Sequence, residues 1–165
     1  MRKNALLFLF FVLALIACQQ QPAPKPINIE AEEVAINNVL DKLISAFKEQ
    51  NVDTLTSLLA EDVLMCGSDP SEFWNKQEII EIWTQMLAQP VELNIIGEPV
   101  IKIAPDGNSA FAIQQYVMPV FSDKLLFRNG YHLIKSNNEW KIYTSNTACI
   151  PKNEDLPAIN EILNK

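Results

Sequence analysis

The sequence predicts one α+β domain in which a curved antiparallel sheet packs against three N-terminal helices. Two observations carry this expectation. Apolar residues recur at helical spacing before Pro90 and at every second position after it. The alternating stretches beyond Pro90 follow one another through short turns, which is the pattern of a hairpin meander. A length of 165 residues with 48% hydrophobic and 20% charged residues is enough for one packed core and excludes a disordered chain.

In chain order, the first element is a leader. Arg2 and Lys3 precede the apolar run Ala5–Ala17, which spans only ~20 Å as a helix against a hydrocarbon core of ~30 Å. Residues 1–17 therefore read as an export signal rather than a membrane span. Leu15-Ile16-Ala17-Cys18 resembles the lipobox of bacterial lipoproteins, which implies lipidation of the Cys18 thiol and cleavage before it. Loss of Arg2 and Lys3 takes the formal net charge from −7 to −9. A domain so acidic gains nothing from anionic lipid and would be held at the membrane by its acyl chains. Residues 18–29 join the lipidated Cys18 to a tether in which Pro22, Pro24 and Pro26 favour extended backbone. Gln19 with no acidic run after it resembles Gram-negative sorting signals for the outer membrane, facing the periplasm.

The domain proper covers residues 30–165. Ile36, Val39, Leu40, Leu43, Ile44 and Phe47 form one stripe of a first helix over Glu30–Gln50. Val52, Leu55, Leu58 and Leu59 mark a second, short helix after the break at Asn51. Asp62–Cys66 is apolar and brief enough for a strand, and Ser68–Phe73 reads as a loop with a turn at Asp69-Pro70. Asn75 with Glu78 makes a capping box for a third helix, whose stripe is Ile79, Ile80, Trp83, Met86 and Leu87. Four strands follow: Val91–Ile103, Ala110–Phe121, Leu125–Lys135 and Trp140–Ala148. Their turns lie at Pro105-Asp106-Gly107-Asn108, Ser122-Asp123 and Asn137-Asn138. Asp155-Leu156-Pro157 opens a last short helix.

Phe47-Lys48-Glu49-Gln50-Asn51-Val52-Asp53-Thr54-Leu55, Leu58-Leu59-Ala60-Glu61-Asp62-Val63 and the segment Gly67 to Glu78 carry a family resemblance. Trp140-Lys141-Ile142 after a hairpin adds to it. Over about residues 33–150 the chain resembles the nuclear transport factor 2-like superfamily and, within it, the SnoaL-like domains. The resemblance implies a cone-shaped fold with a pocket between sheet and helices. Members include isomerases, cyclases and dehydratases, and others that bind ligands or pair with another protein. The isomerase-like members place a carboxylate base at the end of the first strand, which here falls at about Gly67. They draw an oxyanion donor from a Tyr on the first helix, which has none here. A His common near the end of the last strand is absent from Thr144-Ser145-Asn146-Thr147.

These departures favour binding over catalysis. The expected function is a lipid-anchored, periplasm-facing domain that holds a small, partly apolar ligand or a partner protein in its pocket without transforming it. Pocket candidates are Trp74, Trp83, Tyr116, Arg128, His132 and Asn146. Trp83 serves equally as plain core packing, and Tyr116 shares a strand face with Gln114 and Met118. His132 is the one histidine; with Arg128 it faces the pocket if their side of the strand is the concave one, and otherwise lies on the outer face. A lyase or isomerase is the alternative, using Asp69 or His132 with Tyr116, although Asp69 also suits a simple turn former. A third reading is a homodimeric assembly module with a vestigial pocket.

Cys66 and Cys149 could pair in an oxidising compartment, because the resembled fold brings the first strand near the last. Nucleic acid is excluded as a partner by the net charge of −7. No metal-ligand spacing, Gly-rich phosphate loop or nucleophile elbow is present, so no cofactor is expected.

Overall fold

The computed structural model of the protein describes residues 27–165. The leader, Cys18 and the proline-rich part of the tether lie outside the described residues. Helix α1 spans Ile29–Lys48. The Asn28 side chain caps it, accepting from the Ala31 N–H at 3.2 Å, and Glu30 and Glu32 sit in its positive first turn. Its buried stripe is Ile36, Val39, Leu40, Leu43 and Ala46. Gln50 takes a left-handed φ of 55° to end the helix, and Asn51 caps α2, Val52–Ser57, through the Thr54 N–H at 2.9 Å. Leu58 and Leu59, expected on that helix, instead turn into strand β1, Leu59–Cys66.

Strand β2 is the pair Phe73–Trp74, where the sequence predicts the end of a loop at Phe73; pairing with Cys66 and Met65 makes it strand. Helix α3, Lys76–Met86, starts with the expected capping box between Asn75 and Glu78. The strands of the meander are β3 Asn94–Ile103, β4 Ser109–Val117, β5 Leu126–Ser136 and β6 Glu139–Ile150. Asn137 and Asn138, at φ 52° and 64°, form the tight turn expected between β5 and β6. A 3₁₀ turn at Asn153–Asp155 leads into α4, Leu156–Leu163, which buries none of its residues.

The six-stranded sheet has the order β2-β1-β6-β5-β4-β3. The fold is α+β as expected, but the sheet is mixed. β1 lies parallel to β6, and every other pairing is antiparallel. The meander leaves one edge of β6 free, and β1 reaches it through a crossover rather than a hairpin, so nothing forces it antiparallel. Among the described residues no helix is long and apolar enough to cross a membrane.

Burial alternates strictly along the middle strands. On β4 the covered side is Ala110, Ala112, Gln114 and Tyr116; on β5 it is Phe127, Asn129, Tyr131 and Leu133. α1 and α3 pack on this inner face through Ile36, Leu40, Ile79 and Trp83. Toward the β3–β4 turn the space closes completely: Leu133 and Ile142 are each 0% exposed. There Glu32 on α1 accepts hydrogen bonds from the Lys135 ammonium and, at 2.9 Å, from Trp140 Nε1. Lys135 also lies 5.2 Å from the Trp140 ring centre. Its hydrogen bond to Lys135 first, and that to Trp140 second, hold the Glu32 carboxyl below the usual range.

Candidate functional site

At the other end of the same inner face the helices and sheet part around a cavity of about 420 Å³. Leu43, Ile44 and Phe47 of α1 and Ile82, Trp83 and Met86 of α3 form its helical wall. Trp83 meets Phe47 edge-on, with ring centres 5.6 Å apart. The sheet wall begins with Ile95 on β3, then Tyr116 on β4 stacked on Phe127 of β5 at 5.6 Å. Trp74 and Phe121 stand at the rim, half-buried and exposed respectively.

Gly67, at the end of β1, makes this rim achievable. A Cβ there would lie 2.1 Å from Glu72 Oε2 and 2.7 Å from the Trp74 ring, so only glycine lets both side chains fold over the strand end. Glu72 in turn accepts the Asp69 N–H at 2.9 Å. Among the described residues Glu72 is the one acid of the lining, and no Lys, Arg or His contributes to it.

Behind this rim, one polar row crosses the cavity wall. Gln114, Asn129 and Thr147 are direct cross-strand partners on β4, β5 and β6. Gln114 is 5% exposed and Asn129 9%, so both are nearly cut off from water. Tyr116 lies one step along β4 from the row, with its hydroxyl beside Thr147; Tyr131 lies one step along β5, with its hydroxyl beside Asn129. Burial pushes both phenols upward, Tyr131 far beyond the physiological range, so each stays a neutral hydroxyl. The Asn129 Oδ1 atom is buried without a hydrogen-bond partner.

Trp74, Trp83 and Tyr116 line the cavity. Arg128, His132 and Asn146 do not, which corrects the expectation for all three. Arg128 and His132 belong to the outer side of the sheet, because the inner set of β5 is the odd-numbered one, and Asn146 on β6 is the cross-strand partner of the even-numbered Gly130. Arg128 faces Gln115 there, with guanidinium nitrogens 3.0 and 3.2 Å from the Gln115 amide oxygen when that oxygen is turned toward it. His132 meets Tyr143 edge-on at 5.5 Å. Asn146 is exposed, opposite Cys66 on one side and Gly130 on the other.

Asp69 is an exposed turn former. Its carboxylate accepts from Ser71 Oγ at 2.6 Å and from the Ser71 N–H at 2.9 Å, and these bonds hold its carboxyl low. Neither Asp69 nor His132 therefore reaches Tyr116 across the cavity. Cys66 and Cys149 are both free. β1 does adjoin β6, but Cys66 pairs with Asn146, three residues short of Cys149. That stagger is about 10 Å along a strand, beyond the ~7 Å that a disulfide spans.

Asn129, Tyr131, Thr147, Ser145 and Glu72 were not anticipated. A usable signal existed for β5. Phe127, Tyr131 and Leu133 make its odd face far more apolar than Arg128, Gly130 and His132 make the even one, and the apolar face goes inward. Among the described residues no group of three or more His, Cys, Asp or Glu side chains is placed to hold a metal ion.

The comparisons agree with this geometry. The family model for a SnoaL-like domain matches residues 36–147. No curated protein matches significantly. Among solved structures, a domain of unknown function with a cystatin-like fold from Nostoc punctiforme superposes with a TM-score of 0.65 at 12% identity, covering 82% of this chain and 87% of its own. An NTF2-like protein of unknown function from Pseudomonas putida KT2440 gives 0.64 at 12% identity, covering 78% and 92%. An NTF2-like protein from Cytophaga hutchinsonii gives 0.59 at 17% identity, covering 72% and 98%. At such identities the likeness is one of fold.

Proposed function

The chain belongs to the SnoaL-like domain family, and from that premise we propose that the domain binds a small, partly apolar ligand in its cavity without transforming it. The observation carrying this reading is the composition of the cavity wall. It combines aromatic and aliphatic surface with a few neutral polar groups, which is the make-up of a recognition pocket. Proton transfer would need a base aimed into the cavity; Asp69 lies in an outside turn, His132 on the outer sheet face, and Glu72, the one acid of the described lining, has its Oε2 engaged at the rim by the Asp69 N–H. The buried phenols are held neutral and so serve as hydrogen-bond partners.

The domain is proposed to work as the globular part of a lipoprotein anchored through Cys18 at the periplasmic side of the outer membrane. Ile27 rests against Gly107 in the β3–β4 turn, within van der Waals reach of where a Cβ would stand. That turn is nine residues from Tyr116 along β4, about 30 Å, so the tether would leave at the end away from the cavity. The cavity would then open away from the membrane. Fatty-acid labelling of the wild type, absent in Cys18→Ser, tests the anchor; a wild type that incorporates no label contradicts it.

The test of binding is titration of the full chain with apolar aromatic probes, read by Trp74 and Trp83 fluorescence. Saturable quenching that Trp74→Ala weakens and Asp69→Asn leaves intact is expected. Turnover of a bound compound that collapses in Asp69→Asn or His132→Ala would replace this reading with the enzymatic one.

A second reading, self-association, has one observation in its favour. The outer face of β3 and β4 presents Ile96, Val100 and Phe111 at 49%, 65% and 48% exposure. A second copy of the chain would cover them. Sedimentation equilibrium should then show a dimer that Phe111→Lys dissociates.

A further inference from the structure

We infer that the cavity takes a cationic ligand, an ammonium group on an apolar body, and that Glu72 at the rim is the carboxylate that receives the charge. The inference rests on the binding role proposed above and adds the ligand's chemistry. Its basis is the distribution of charge over the cavity wall. Among the described lining residues Glu72 is the one carboxylate, and no Lys, Arg or His stands there to neutralise it. The rest of the wall is aromatic, aliphatic or neutral, so this one group sets the sign of the mouth. Asp69, whose N–H binds Glu72, adds a second, exposed carboxylate in the same turn.

The Glu72 side chain is half-buried and held in place. Its Oε2 accepts the Asp69 N–H at 2.9 Å, and a carboxylate so anchored keeps further lone pairs for a ligand. Gly67 sets it against Trp74: the spot that a Cβ would take lies 2.1 Å from Glu72 Oε2 and 2.7 Å from the indole. An ammonium bound by Glu72 therefore has an aromatic ring beside it, and ion pairing and cation–π attraction act on the same head group. The head stays at the open mouth, where water still reaches it, and escapes the cost of a buried charge. The body lies inward on Phe47, Trp83, Tyr116 and Phe127, a wall suited to a flat or alicyclic shape. A carboxylate or phosphate would meet Glu72 with no cation in the described lining to pair with.

Three naphthalenes that share a body and differ in charge test this on the full chain: 2-naphthylmethylammonium, 2-naphthol and 2-naphthoate. Calorimetric titration at pH 7 and low salt should show the ammonium binding roughly tenfold more tightly than 2-naphthol, the combined worth of a partly exposed ion pair and a cation–π contact, with 2-naphthoate the weakest. Glu72→Gln, whose amide oxygen can still accept the Asp69 N–H, should bring the ammonium to within about threefold of 2-naphthol and leave the affinity for 2-naphthol itself within about threefold. A wild type that binds 2-naphthol as tightly as the ammonium, or more tightly, overturns the inference while leaving cavity binding in place. A preference for the ammonium that is undiminished in Glu72→Gln overturns the assignment to Glu72. Binding of none of the three overturns the binding role as well. The wild-type comparison needs no variant to fold.

Discussion

The two ends of the inner sheet face are built on the same strands and treat polar groups in opposite ways. Toward the β3–β4 turn the core closes at Leu133 and Ile142, and at its edge the half-buried Glu32 takes hydrogen bonds from Lys135 and Trp140. Toward the opposite end, Asn129 keeps a buried oxygen unpaired beside an open volume of about 420 Å³. One end is built for stability. The other leaves open space walled by aromatic and neutral polar side chains, and it is there that the proposed binding would take place.

Four predictions sharpen this contrast, in descending order of effect. Leu133→Ala, at the closed end, should cost about 3 kcal/mol in urea unfolding, since a fully buried side chain leaves a cavity that its neighbours fill only in part. Met118→Ala, at the open end, should cost clearly less, because that side chain already borders empty space. Equal losses would erase the contrast.

Glu32→Gln should cost about 1–2 kcal/mol by weakening the charge-assisted bonds to Lys135 and Trp140. The sign of its pH dependence follows from the lowered carboxyl. A group lowered in the folded state contributes its stability above the unfolded value of about 4.5 and loses it as pH falls through the folded value. Wild type should therefore lose stability below about pH 4.5 more steeply than Glu32→Gln, which denaturation midpoints across pH 3–7 would reveal.

Asn129→Leu should cost no more than about 1 kcal/mol, because removing an unpaired buried acceptor offsets leaving the Tyr131 hydroxyl beside it without its neighbour. A loss above about 2 kcal/mol in thermal unfolding would mean that the amide is structural. The smallest effect belongs to the outer face. His132→Ala should change stability by no more than about 0.5 kcal/mol and leave probe binding as it was.

Local signals carried most of the fold. The capping box at Asn75 and Glu78, the helix break at Asn51 and the Asn137-Asn138 turn are each decided by neighbours in sequence, and each was readable. What escaped depends on distant partners. β2 is two residues that become strand only because β1 lies beside them, and the parallel entry of β1 onto β6 is set by the crossover. Cys66 and Cys149 show the same limit: their strands adjoin, but a three-residue stagger keeps them apart.

In the site, Trp74, Trp83 and Tyr116 were legible because large aromatics on buried stripes must line whatever space the core leaves. Arg128 and His132 were misplaced because an alternation of period two defines two faces without saying which is inner. Polar candidates drew attention to the even face of β5, while hydrophobicity, the stronger determinant, put the odd face inside. Asn129 was hidden by the same choice, and its missing partner is a property of three dimensions only.

The most direct test of the account is the amide spectrum of isotopically labelled full chain during titration with 2-naphthol. Saturable shifts should concentrate at Gln114, Asn129, Thr147 and Trp83, with Glu32, Lys135 and Trp140 unmoved. Shifts confined to Phe111, His132 and Tyr143 on the outer face, or no saturable shift at all, would contradict the claim that the open end of the sheet is a binding site.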